Sequence, residues 1–212
     1  MTLLLVDEKM RPVEGPYEVR LLGWTEERYF AEAPESRFCE FKDGEVIMHS
    51  PVASDHQRIV MFLSSLQGYA TEKRLGEVLC GPAVLRLRPG LNREPDIVFV
   101  DRASEARIHE QYVEGPVPFV VEVLSPEGRR RDLEEKRAEY EEYGVAEYWV
   151  VDPFERQVVV HRRGERGFEV ERCASGRLEC RVVPGFWLDV EWLWRRPMPS
   201  SLGCLKEILG EA

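Results

Sequence analysis

Glu122 stands in the middle of PFVVEVL (residues 118–124), a β-branched and aromatic run of the kind that fits a strand covered on both faces. An ionised carboxylate taken into an apolar interior without a partner is costly even after the surroundings relax. Either Glu122 faces a polar cleft, where a metal ion, a cation or water meets it, or it carries a stability penalty. Asp96 opens a second apolar run, DIVFV, 26 residues before Glu122, which leaves room for a strand, a connection and a return that lays the two runs side by side. Two carboxylates within a few ångströms repel, and both stay ionised only if a cation lies between them. Mg2+ or Mn2+ meets that need, because such ions take oxygen ligands, keep several waters and bridge one or two protein carboxylates to a phosphate oxygen. An ion held there polarises a phosphorus–oxygen bond and lowers the pKa of an attacking water.

The element after Glu122 can bring a third group to the same place. RDLEEKRAEYEEYG has strong helix formers, no internal Pro or Gly and a stop at Gly144. Asp132, Lys136 and Tyr140 fall at i, i+4 and i+8 and line one stripe of that helix. Lys136 can then point where Glu122 points, orienting a water or neutralising charge that develops on a phosphate. The plain alternative is an Asp–Lys pair on a solvated helix face. Arg129, Arg130 and Arg131 are consecutive just before the helix, and Arg162, Arg163 and Arg166 cluster again. Both groups read as nucleic-acid backbone contacts or as solvated loop charge.

With 212 residues, 43% hydrophobic and 32% charged, the chain has enough apolar material for one domain with added decoration. Its net charge of −10 argues against a simple nucleic-acid binder, and less against a nuclease, whose site must be acidic to hold metal. Cys39, Cys80, Cys173, Cys180 and Cys204 are odd in number, widely spaced and without ligand spacing, so they read as small hydrophobes in a reducing compartment. MTLLLVDEKM carries an apolar run too short for a signal peptide or a membrane span, and a cytoplasmic protein is expected.

In chain order, residues 1–23 read as an extended arm, 24–196 as the folded domain and 197–212 as a tail with a short helix. Thr25 caps a helix that stops before Pro34, and residues 37–49 form a hairpin about Asp43–Gly44. Glu40 or Glu45 from that hairpin adds a further carboxylate, or is surface charge. A helix over residues 54–72, capped by Ser54, carries His56 in its first turn, where a neutral imidazole can ligate or donate a hydrogen bond, unless it is a surface or cap residue. Strands over 77–88, 94–100 and 118–124 follow, then the helix at 131–144 and a strand at 146–151. The pattern is α/β: helix, three-strand meander, helix, strand, with an N-terminal hairpin and a C-terminal β extension. Trp187, Trp192 and Trp194 suit a core or sheet edge, or a subunit contact.

Taken together, Glu94–Pro95–Asp96, Glu122–Val123–Leu124–Ser125, the Asp132, Lys136 and Tyr140 stripe and Glu147–Tyr148–Trp149–Val150–Val151–Asp152–Pro153 resemble the bacterial Uma-type restriction-endonuclease family of the PD-(D/E)XK nuclease superfamily. The resemblance runs from about residue 40 through 189 and includes the hairpin with His56 after it. It implies a restriction-endonuclease-like α/β core, Mg2+ or Mn2+, and hydrolysis of phosphodiester bonds in DNA. Asp96 matches the Asp of the Pro–Asp motif and Glu122 the second acid. The superfamily expects Lys two positions after that acid, where this chain has Leu124, so Lys136 on the helix is the candidate lysine. Symmetric cleavage of a duplex would favour a homo-oligomer. The other readings are a catalytically inactive nucleic-acid-binding protein of the same fold and an oligomeric interaction protein.

Overall fold

Residues 18–33, 39–49, 53–125 and 128–211 are described in the computed structural model, and they build two six-stranded sheets that share the chain unevenly. The first sheet begins with β1 (Glu18–Leu22), followed by the helix α1 (Glu26–Glu32) and the hairpin β2 (Cys39–Lys42) and β3 (Glu45–His49). Thr25 caps α1 by accepting from the Arg28 N–H at 3.2 Å, as its position predicts. The hairpin turns at Asp43 and Gly44, both with positive φ, the pairing that suits the right-handed twist of the strands it joins.

After the hairpin come α2 (Ser54–Leu63), α3 (Leu66–Glu72), β4 (Gly76–Cys80), β5 (Leu85–Arg88), β6 (Leu91–Arg93), β7 (Ile97–Asp101), β8 (Val113–Glu114) and β9 (Phe119–Val123). Residues 131–136 make one wide helical turn that runs into α4 (Arg137–Glu142), and Gly144 at φ +88° ends it in a conformation that favours glycine. Then follow β10 (Glu147–Asp152), β11 (Gln157–Gly164), β12 (Gly167–Cys173), a ribbon of β13 (Arg177–Glu179) and β14 (Trp187–Asp189), and α5 (Ser201–Leu209). The first sheet has the order β1-β3-β2-β6-β5-β8 and the second β12-β11-β10-β9-β7-β4.

The second sheet holds the predicted meander and crossover. β4, β7 and β9 pair antiparallel, and the helical segment then returns the chain so that β10 lies parallel to β9. β9 and β10 are buried at every position, as their apolar runs require. Alternation sends Ile97, Phe99, Val121 and Trp149 to one face under α2, α3 and α5, and Val98, Val120 and Val150 to the other under α4 and β5. β1, β2, β3 and α1 close a smaller core around Tyr29, Phe41 and Met48.

Several expectations are corrected. The run 77–88 divides between the two sheets at Pro82, the strand expected over 94–100 begins only at Ile97 after Pro95, and Leu91–Arg93 forms an additional strand in the first sheet; both prolines lack the N–H that a continuous ladder needs. The helix expected over 54–72 breaks at Ser64–Ser65, where both hydroxyls donate to carbonyls three residues back, and Ala53 rather than Ser54 occupies its cap. Within the N-terminal arm, β1 is paired on β3, and residues 1–17 lie outside the described ones. Trp192 is buried and Trp187 and Trp194, partly buried, pack against the same core, with Phe62 edge-on to Trp192 at 6.3 Å. Arg162 binds Glu147 and Glu171, and Arg163 the carbonyls of Glu141 in α4 and of Val145 just after it. None of the five cysteines forms a disulfide among the described residues, and three of them are buried. No helix among the described residues is long and apolar enough to cross a membrane.

His161 of β11 supplies a stability prediction. It is buried and stacked on Tyr148 at 5.5 Å, neither ring nitrogen has a partner among the described residues, and burial pulls its pKa down to about 4. His161→Phe is expected to raise the unfolding free energy at pH 7 by about 1–2 kcal/mol, since an unsatisfied buried polar group is replaced by a ring of similar shape. A depressed folded-state pKa means that the unfolded chain takes up the proton first, so the wild type loses stability as pH falls from its ordinary value toward 4 while the variant does not. Urea denaturation should therefore show a gap that widens on acidification; a variant less stable at every pH would contradict this account of His161.

Candidate active site

The β7–β9 ladder pairs Ile97 with Val121, and one further step along it sets Asp96 opposite Glu122. Asp96 stays in place because its Oδ2 accepts the Val123 N–H at 2.7 Å. Glu122 Oε1 accepts from Lys136 Nζ at 2.7 Å and from the Tyr140 hydroxyl at 3.0 Å, so the helical stripe does fold over the strand acid. Lys136 Nζ also lies 2.8 Å from Glu40 Oε1 and 3.5 Å from Asp132 Oδ1. Glu40 comes from β2 in the other sheet, and its second oxygen takes Arg93 Nη1 at 2.8 Å. The site is thus a corner where the two sheets meet, joined by the short Glu94–Pro95–Asp96 connector between β6 and β7.

Negative charge exceeds positive charge in this corner. Glu40, Glu94, Asp96, Glu122 and Asp132 are all buried, and Lys136, Arg93 and Arg131 are the cations nearest them. Burial pushes Glu122 up to about 8, with Lys136 pulling it down and Asp132, Asp96 and Glu40 adding to the rise. Burial likewise raises Asp132, and it raises Glu94 to about 8 although the Cys39 N–H donates to that carboxylate at 2.8 Å. Lys136 behaves the opposite way: burial alone would lower its pKa, yet Glu122, Glu40 and Asp132 hold it above the usual lysine value. The ammonium is therefore charged, and it is fixed by ion pairs on three sides.

Of the residues singled out in the sequence, Asp96, Glu122, Lys136, Asp132, Tyr140 and Glu40 come together here. His56 arrives from α2, with Nε2 at 3.2 Å from Asp96 Oδ2. Glu45 does not join them; it pairs with Arg20 on the surface. The three consecutive arginines diverge: Arg129 binds Asp152 at 2.7 Å, Arg130 is exposed, and Arg131 reaches back to Glu18 and toward Asp132. Sequence reading missed Arg93, which is fully buried and binds Glu40, Glu135 and a bidentate Glu139, with Lys42 closing on the same two helical acids. The one available signal was its place beside Glu94–Pro95–Asp96. This network ties α4 to the first sheet and so sets the height of Lys136 over Glu122.

The sequence model of the Uma2 family, described as a putative restriction endonuclease, matches residues 26–191. The chain belongs to the Uma2 family. Every residue of the corner, from Glu40 to Tyr140, lies inside the matched span. Among solved structures, a crystal structure titled a putative nuclease belonging to DUF820 from Anabaena variabilis is similar, with a TM-score of 0.64 and 17% identity over 78% of this chain and 94% of that one. At that identity the likeness concerns the fold. No curated protein matches the chain. Leu124 is buried in the core under α4, and the ammonium beside Glu122 comes from Lys136.

The donor set suits a hard divalent cation. Asp96 spends Oδ2 on the Val123 amide and Glu122 spends Oε1 on Lys136 and Tyr140, while Asp96 Oδ1 and Glu122 Oε2 accept no hydrogen bond from the described residues. Asp132 Oδ1 is buried without a hydrogen bond from the described residues. No group of three or more His, Cys, Asp or Glu side chains among the described residues is set to hold a metal ion by itself, so an ion here would take two carboxylates and complete its shell with water or substrate oxygens. Two carboxylates on neighbouring strands supply oxygen ligands of the kind that Mg2+ or Mn2+ takes.

Proposed function

We propose that this Uma2 chain hydrolyses phosphodiester bonds in DNA with Mg2+ or Mn2+ bound by Asp96 and Glu122. The observation that supports the reading best is the meeting of Lys136 with Glu122 at 2.7 Å beside Asp96, three chemically matched groups from separate elements, inside the span matched by the family. A divalent ion would supply polarisation of a phosphate oxygen and a more acidic bound water. Lys136 keeps Glu122 oriented and presents positive charge to the phosphate as negative charge grows on it. Tyr140 fixes the same carboxylate oxygen from the helix side. Arg130, exposed, and Arg131, at the edge of the acidic corner, are assigned to backbone phosphates; Arg129 contributes less because Asp152 holds it. Cutting both strands of a duplex would call for two copies of the chain.

One observation favours a second reading, a non-catalytic nucleic-acid-binding protein. Lys136 already neutralises Glu122 and Glu40, which is how a corner that works without metal would be wired. Plasmid relaxation with Mg2+ or Mn2+ separates the two. Cleavage is expected with either ion, to stop on chelation, and to fall at least about 100-fold in Asp96→Asn. Failure to cut duplex, single-stranded and branched DNA under all these conditions, with DNA binding unaffected by chelator, would select the second reading.

A further inference from the structure

His56 is buried at the start of α2, a helix that packs on the opposite face of the second sheet from α4, yet its imidazole reaches the end of β7 and touches Asp96. Its Nε2 lies 3.2 Å from Asp96 Oδ2, and at that separation two lone pairs would repel, so the proton belongs on Nε2. The other nitrogen, Nδ1, is then a bare acceptor, and it is buried with no hydrogen-bond partner among the described residues. A phenyl ring would fill the same space without leaving an acceptor unpaired. What the imidazole adds over such a ring is the contact with Asp96.

That contact falls on the oxygen that already receives the Val123 N–H at 2.7 Å. The Val123 N–H donates to Oδ2 and the His56 ring lies against the same oxygen from α2, so two groups from different layers restrict the carboxylate. Oδ1 accepts no hydrogen bond from the described residues. From this geometry we infer that His56 is a positioning residue for the metal site: it locks the Asp96 carboxylate with one oxygen held and the other presented to a divalent cation. The inference rests on the Asp96–Glu122 reading and adds to it a residue that touches neither metal nor substrate. Outer-shell partners of ligating carboxylates set affinity in this way, and losing one costs roughly 10–100-fold.

The test uses the full chain and three proteins: wild type, His56→Phe and His56→Gln, whose amide can place an N–H near the position of Nε2. Free Mn2+ is counted by electron paramagnetic resonance during titration, and thermal unfolding of the metal-free proteins is recorded alongside. His56→Phe is expected to bind Mn2+ roughly 10–100-fold more weakly while melting no lower than wild type, and His56→Gln to recover most of the affinity. A His56→Phe affinity equal to wild type overturns the inference and leaves the Asp96–Glu122 site standing. Equal loss in both variants together with lowered melting also overturns it, because the ring would then be a packing element. If wild type itself binds no Mn2+, the metal site and the role of His56 fall together.

Discussion

Replacing Lys136 by methionine is expected to destabilise the fold by about 3–5 kcal/mol at pH 8, the cost of leaving buried charges without their partner. Methionine keeps most of the volume, so the loss reports charge rather than packing. Three carboxylates lose their common ammonium: Glu122 at 2.7 Å, Glu40 at 2.8 Å and Asp132 at 3.5 Å. Arg93 still holds Glu40, which limits the damage on that side. The sign of the pH dependence follows from the carboxylates. Without Lys136 their folded-state pKa values rise further above the unfolded ones, so the folded state binds more protons and gains stability as pH falls. The deficit of the variant should therefore be largest near pH 8 and above and shrink toward pH 5. In the wild type, Lys136 itself has a raised pKa, and its contribution is present throughout that range and is lost only in strong base. Guanidinium unfolding at several pH values measures both; a deficit that grows on acidification would show that the ammonium is not what neutralises this corner.

Glu122→Gln is expected to remove DNA cleavage by roughly 10³-fold or more, because losing a metal ligand forfeits several kcal/mol of transition-state stabilisation. Its effect on folding should be smaller than that of the lysine variant, about 1–3 kcal/mol, since Lys136 keeps Glu40 and Asp132 as partners. The same residue predicts the pH profile of the wild type. Burial sets Glu122 near 8, so below that pH a proton competes with the cation for the carboxylate, and cleavage at limiting metal should rise as pH increases through about 8. Excess Mn2+ should move that rise to lower pH. The Gln variant, with no proton to displace, should show no such rise.

Much of this corner is legible in the amino-acid sequence. An acid inside an apolar strand run has few inexpensive places to be, and the alternation in β7 and β9 puts Asp96 and Glu122 on the same face once the strands pair. Spacing of four along a helix carries Asp132, Lys136 and Tyr140 to one side, which is enough to bring an ammonium over Glu122. What stayed hidden depends on contacts between segments far apart in the chain. Hairpin alternation does not say whether Glu40 or Glu45 faces inward; that depends on β6 pairing beside β2, which also sets Arg93 against Glu40. Arg93 looks like loop charge because its strand is three residues long and is followed at once by Glu94–Pro95. The division of 77–88 between two sheets, and the extra strand at 91–93, were missed for a related reason. Pro82 and Pro95 mark breaks, but a break does not reveal that the chain changes sheet. The arginines at 129–131 read as one patch, and only the fold sends them in three directions.

The central claim is that Asp96 and Glu122 together hold a divalent cation, and calorimetric titration of Mn2+ into wild type and Glu122→Gln at pH 8.5 tests it without a guess about the substrate. The account predicts binding by the wild type that is lost in a Gln variant still folded by circular dichroism. Equal binding by the two proteins, or none by either at millimolar Mn2+, would contradict it.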